Sequence, residues 1–205
     1  LSKGELYTIV TSKAGKGKKN TIVAIVKGTK SETVVEHLSK LPKYLRNKVK
    51  EITLDMAGSM KQIAKRCFVN ATQVIDRFHV QKLASEALQN IRIKHRWIEM
   101  DNENNAIIHA KGTNKTYSPD ILSNGDTKKQ LLARSRHLLY KSPNNWTIDQ
   151  QDRAKLLFEL YPEIEQAYGL TNKLRAIYNK LIPKEIAMTK LAYWFNQVEN
   201  TNLKQ

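Results

Sequence analysis

The first eighty residues alternate between short apolar runs and polar breaks. Glu5–Thr11 and Thr21–Lys27 are rich in strand formers, and the segment between them, 12–20, is dense in glycine and lysine. That pattern predicts an antiparallel hairpin. Gly28-Thr29-Lys30 leads to Ser31, a side chain suited to capping a helix that runs to about Leu41. Val34, Val35 and Leu38 would form its buried stripe. Two further apolar strands follow, Glu51-Ile-Thr-Leu-Asp55 and Thr72-Gln-Val-Ile-Asp76, with a helical stretch over about residues 56–68 between them. Strand, helix, strand at this spacing predicts a βαβ unit with two buried, parallel strands and a right-handed crossover. Each strand ends in a carboxylate.

After His79 the period changes. Val80, Leu83, Ala84, Ala87, Leu88 and Ile91 recur at helical spacing and predict a long helix to about Met100. Residues 101–126 are polar and irregular, with turn signals at Ser118-Pro119 and Asn124-Gly125. A basic helix is predicted over 127–140, broken by Ser142-Pro-Asn-Asn145. Trp146-Thr147 opens a helix that stops near Pro162, and two more follow over about 162–180 and 183–201. The reading is an α/β part with a long helix over residues 1–100, then an all-α region over 101–205. Trp146, Phe158, Tyr161, Tyr168, Trp194 and Phe195 are assigned to the core of that region.

Composition narrows the function. A single cysteine, Cys67, cannot form an internal disulfide and reads as a small buried residue on a helix. No Cys/His cluster has zinc-site spacing, no secretory signal is visible, and no apolar run approaches the ~20 residues of a membrane span. The 205 residues carry 35 Lys and Arg against 19 Asp and Glu, a net charge of +16. An excess this large attracts polyanions, with nucleic acid as the expected partner and no membrane. The charge is grouped: Lys13, Lys16, Lys18 and Lys19; Lys43, Arg46, Lys48 and Lys50; Arg92, Lys94 and Arg96; then Lys128, Lys129, Arg134, Arg136 and Lys141. A single such run is ordinarily a solvated face. Four in one small chain point to a phosphate-binding surface.

Asp55 is the leading chemical candidate. A carboxylate at the carboxyl end of a parallel strand is where open α/β sheets gather functional groups. It suits Mg²⁺, which is held by one or two carboxylates plus substrate phosphates. The alternative is a cap for the following helix, and spacing leaves both readings open. Asp76 and His79 form an Asp-x-x-His at the next strand–helix junction. His79 could contact phosphate, orient a carboxylate or bind metal, and Asp76 could cap the helix that carries it. His37, His95, His109 and His137 show no mutual pattern and read as structural or surface residues.

The segments Glu51-Ile-Thr-Leu-Asp-Met-Ala-Gly-Ser-Met60, Phe68-Val-Asn-Ala71 and Val74-Ile-Asp-Arg-Phe-His-Val80 resemble bacterial insertion-sequence transposases of the ISL-three group. Trp146, Leu156-Leu157-Phe158, Tyr161-Pro162 and Gln166-Ala-Tyr168 resemble the same family's helical region. The resemblance implies a ribonuclease-H-like mixed sheet followed by an all-helical insertion, and a DDE active site that cuts transposon ends and joins them to target DNA. It implies that Asp55 is the second acidic residue of the triad, catalytic and metal-ligating, with Asp76 and His79 in support. It further implies Mg²⁺ (or Mn²⁺), double-stranded DNA, self-association of the complete protein and a cytoplasmic, nucleoid-associated location.

In the family the first catalytic Asp precedes the part matching Leu1, and the last catalytic Glu follows the part matching Gln205. The expectation is therefore an internal fragment that lacks the first strand, holds no metal and is inactive alone. The hairpin and the parallel pair would lose their shared neighbour, and the gap would close by direct pairing, rearrangement or another chain. A ribonuclease-H-like nuclease or resolvase, and a non-catalytic basic DNA-binding module, are the alternative readings.

Overall fold

The computed structural model describes residues 5–203. Its contacts divide the chain into two compact units, one running to Val80 and the other beginning at Gln81.

In the first unit, β1 (Tyr7–Thr11) and β2 (Ile22–Lys27) form the expected antiparallel hairpin, pairing Thr8 with Val26 and Ile9 with Ile25. Side chains alternate between faces along a strand. Thr8 and Val26 are accordingly buried, while Ile9 and Ile25 are exposed. The connection turns through Gly17 at φ 80°, a conformation glycine adopts without steric cost. Then come α1 (Ser31–Ser39), α2 (Lys43–Arg46), β3 (Glu51–Leu54), α3 (Gly58–Cys67) and β4 (Thr72–Ile75). Ser31 is the first helical residue of α1, one position later than a cap, and its hydroxyl lies 2.9 Å from Gln62 Oε1 of α3. Val26, Val34, Leu38, Ile63, Cys67 and Phe68 make one core cluster, with Ile52 of β3 packed against it. Both strand pairs therefore rest on the α1–α3 layer.

β3 and β4 are parallel, as predicted, with Leu54 opposite Ile75. Two expectations change. The strands form two separate two-stranded sheets in place of one mixed sheet. A ladder needs edges about 4.8 Å apart; here side-chain packing on the helices holds the pairs, and Lys13 Nζ of the hairpin turn reaches Glu51 Oε1 of β3 at 3.4 Å. The second strand is also less buried than its apolar pattern suggests. All four residues of β4 are exposed, including Val74 and Ile75, because β3 is the strand that packs against the core.

A 36-residue helix, α4 (Arg77–Gly112), follows. It passes the predicted end near Met100 by about three turns. No breaker interrupts 101–111, and Glu103 on that extension pairs with Lys129. After it come α5 (Lys128–Arg134), α6 (Ile148–Leu160), α7 (Pro162–Asn179) and α8 (Lys184–Glu199). Thr127 with Gln130 and Thr147 with Gln150 make reciprocal capping boxes at the starts of α5 and α6. The basic helix predicted to Tyr140 stops at Arg134 and resumes as a single 3₁₀ turn, Leu138–Tyr140, whose Leu138 carbonyl accepts the Trp146 indole N–H at 2.8 Å.

The core of this unit centres on Leu88, Leu131, Leu132, Leu157 and Ile164. Trp146 stacks on Tyr168 at 5.3 Å, and Phe158 lies 5.4 Å from the same ring. Phe195, assigned to this core from sequence, is 57% exposed, and α8 has no buried residue. Among the described residues no helix is long and apolar enough to cross a membrane.

Candidate active site and basic surfaces

The β3–β4 register places the two sequence-predicted carboxylates side by side in the chain's geometry. The Asp76 N–H donates to Leu54 O at 2.8 Å, continuing the ladder to the level of Asp55. Both carboxylates follow the last residues of adjacent parallel strands. Their local bonds are alike. Asp55 Oδ1 accepts the Ala57 N–H at 2.9 Å, and Asp76 Oδ1 accepts the Phe78 N–H at 3.0 Å. Asp76 thus caps α4, as one reading of the sequence anticipated. Asp55 closes the turn before α3, whose N-cap is Ala57. Each keeps Oδ2 outside these bonds.

His79 comes round on the first turn of α4. Its Nδ1 lies 3.9 Å from Asp76 Oδ2, shielded from solvent and without a hydrogen bond among the described residues. Phe78, 66% exposed, meets the His79 ring edge-on at 5.7 Å.

These donors suit a hard cation in kind, since both are carboxylates with a free oxygen at a strand end. Among the described residues no group of three or more His, Cys, Asp or Glu side chains gathers.

A family model described as Transposase, of the ISL-three group, matches residues 1–205. The chain belongs to that transposase family. No curated protein and no solved structure matches it.

In this transposase the predicted DNA-binding residues divide by environment. Lys16, Lys18 and Lys19 stand exposed on the hairpin turn, and Lys13 beside them pairs with Glu51. Lys94, Arg96, Lys128 and Arg136 are exposed. Lys129 is half-buried against Glu103, and Arg134 pairs with the fully buried Asp126. Arg92 differs from its group. It is 5% exposed, with Nε donating to Gln89 Oε1 at 2.7 Å and Nη1 to Leu132 O at 2.9 Å. Burial, reinforced by repulsion from Arg96 and Arg136, pulls its guanidinium below the ordinary value. Its guanidinium is thus taken up inside the unit, where it ties α4 to α5. Its position beside Leu88 and Ile91 on the helix's apolar stripe was the available signal.

Sequence reading left Lys173, Lys180 and Lys190 ungrouped. The structure brings them together around a groove between α7 and α8. The helical spacing of Lys173 to Ile177 and of Lys190 to Trp194 was legible; the meeting of the two helices was not.

Proposed function

We propose that the chain carries part of the catalytic centre of a DDE-type transposase, which cuts double-stranded DNA at transposon ends and joins the freed ends to target DNA. The observation that supports this most is the placement of Asp55 and Asp76 at the same end of adjacent parallel strands. In this reading Asp55 is the metal-ligating carboxylate, through the oxygen that Ala57 does not occupy. Asp76 uses one oxygen to hold the start of α4 and presents the other towards His79. A closure of under ~1 Å would bring His79 Nδ1 into hydrogen-bond range of that oxygen, so His79 acts as a positioning residue for Asp76. Mg²⁺ or Mn²⁺, when bound, would activate the attacking oxygen and stabilise the leaving one.

Asp55 is the one carboxylate here that the family resemblance assigns to the catalytic triad, and these 205 residues are proposed to be inactive alone. Cleavage by them that depends on Asp55 would overturn that part. The exposed lysines and arginines of both units are proposed to hold DNA phosphates, with Arg92 withdrawn from that set.

The deciding experiment is Asp55→Asn in the catalytically complete transposase. Loss of both nicking and joining, with duplex affinity kept or raised, supports the reading. Unchanged cleavage removes Asp55 from the centre. Nicking without strand-transfer products by the unsubstituted transposase would instead favour a nuclease or resolvase.

A further inference from the structure

We propose that the groove between α7 and α8 binds an unpaired nucleobase of a DNA strand together with its flanking phosphates. The proposal rests on the reading above that DNA is the substrate, and names a part of it that this groove would take.

Two helical stripes meet there. α7 contributes Lys173 and Ile177 at i and i+4, Lys180 follows at its extended C-terminal cap, and α8 contributes Lys190, Tyr193 and Trp194 at i, i+3 and i+4. They line an open groove of about 280 Å³. Its floor is fixed: the Trp194 indole N–H donates to Leu170 O at 2.8 Å, which holds the ring against α7. Tyr193 stands 68% exposed at the mouth. Three lysines rim the groove, and among the described residues no Asp or Glu lines it. Lys173 donates to Gln197 Oε1 at 3.1 Å, which keeps that ammonium at the groove's edge.

The chemistry selects the occupant. Flat apolar walls with an aromatic edge, surrounded by ammonium groups, match a ligand that is aromatic at its centre and anionic at its ends. A nucleotide within a strand is such a ligand, because the base stacks while the phosphates pair with cations. An acidic peptide supplies the charge without the ring. A paired base cannot enter, since its faces are already stacked in the duplex. The groove's volume is just below the roughly 300 Å³ at which drug-sized ligand sites begin, which suits one base. α8 carries no buried residue, so an exposed aromatic such as Tyr193 adds nothing to the unit's own core.

The test is fluorescence anisotropy on the whole chain with a labelled oligothymidylate, a matched duplex, and the same duplex carrying one unpaired thymidine. Tyr193→Ala should weaken binding to the oligothymidylate and to the unpaired-base duplex roughly five- to a hundredfold, and leave the matched duplex within about twofold. Tyr193→Phe should keep the wild-type affinity. Lys180→Gln with Lys190→Gln should flatten the salt dependence of single-strand binding by about 0.7 per lysine. Equal effects of Tyr193→Ala on all three DNAs, no effect on any, or failure of Tyr193→Phe would overturn the proposal. So would polyglutamate competing as well as oligothymidylate, which would mark a general anion surface. The two readings fail separately. Normal cleavage by Asp55→Asn removes the catalytic proposal and leaves the groove, whereas an inert Tyr193→Ala beside an inactive Asp55→Asn removes only the groove.

Discussion

Asp76 donates its backbone N–H to the carbonyl of Leu54 at 2.8 Å and so stands level with Asp55 at the end of the β3–β4 pair. That bond links the two carboxylates through the most rigid connection available, a shared ladder. It also means that each carboxylate has a structural task, at its own strand–helix turn, beside any chemical one.

The two tasks of Asp76 can be separated. Asp76→Ala removes the bond to the Phe78 N–H and should cost about 1 kcal/mol of stability. Asp76→Ser supplies a capping oxygen and should restore the urea midpoint. If the carboxylate also serves the chemistry, the serine variant of the complete transposase will stay deficient in cleavage. Recovery of both properties together would reduce Asp76 to a cap.

Arg92 and its neighbours should respond in opposite ways. Arg92→Met strands the Leu132 carbonyl and Gln89 Oε1, and should cost about 1–3 kcal/mol in urea denaturation. Arg96→Gln with Arg136→Gln, both exposed, should change stability by less than about 0.5 kcal/mol. The pair should lower the salt slope of duplex binding by about two units. A stability loss of equal size in both variants would contradict this division.

Asp126 is fully buried, while its partners Arg134 and Arg153 reach the surface. Removing both arginines leaves a carboxylate stranded inside and should cost about 3–5 kcal/mol. Asp126→Asn returns the arginines to water and should cost less. Chemical denaturation of the two variants gives the order directly, and the reverse order would show that the pairing does not govern this site.

Tyr161 is buried and donates its hydroxyl to Glu99 at 3.0 Å. Burial first, then the bond and charge of Glu99, push that hydroxyl far above its ordinary value of 10.0. The unfolded chain ionises there near pH 10 and the folded chain does not. The stability this group contributes is therefore complete below about pH 10 and declines as pH rises further. Burial raises Tyr168 in the same direction. Tyr161→Phe should flatten the alkaline decline above pH 10 in thermal melts, with Tyr168→Phe adding to it.

The βαβ core of the candidate site was legible because its signals are local. Four strand formers ending in Asp55, ten residues of helix and four more ending in Asp76 can be read within 26 positions. The capping box of Thr147 and Gln150 was likewise adjacent in sequence, and Trp146-Thr147 marked the helix start correctly. Cys67 lies buried on α3, as one apolar cysteine on a helix stripe suggested.

What the sequence determined by itself is the order of elements, the two strand-end carboxylates, the excess of positive charge and the transposase family. Only the tertiary structure decided which groups are brought together across the chain. Whether the hairpin shares a ladder with β3 depends on the spacing of two edges some forty residues apart, and no local period encodes that distance. Arg92 is charged in every sequence window, yet α5 closes over it and supplies a carbonyl for its guanidinium. Ile9 and Ile25 are apolar yet lie on the open face of the hairpin, because the helices cover it from the other side. Periodicity fixes which residues share a face, whereas burial is settled by what packs against that face.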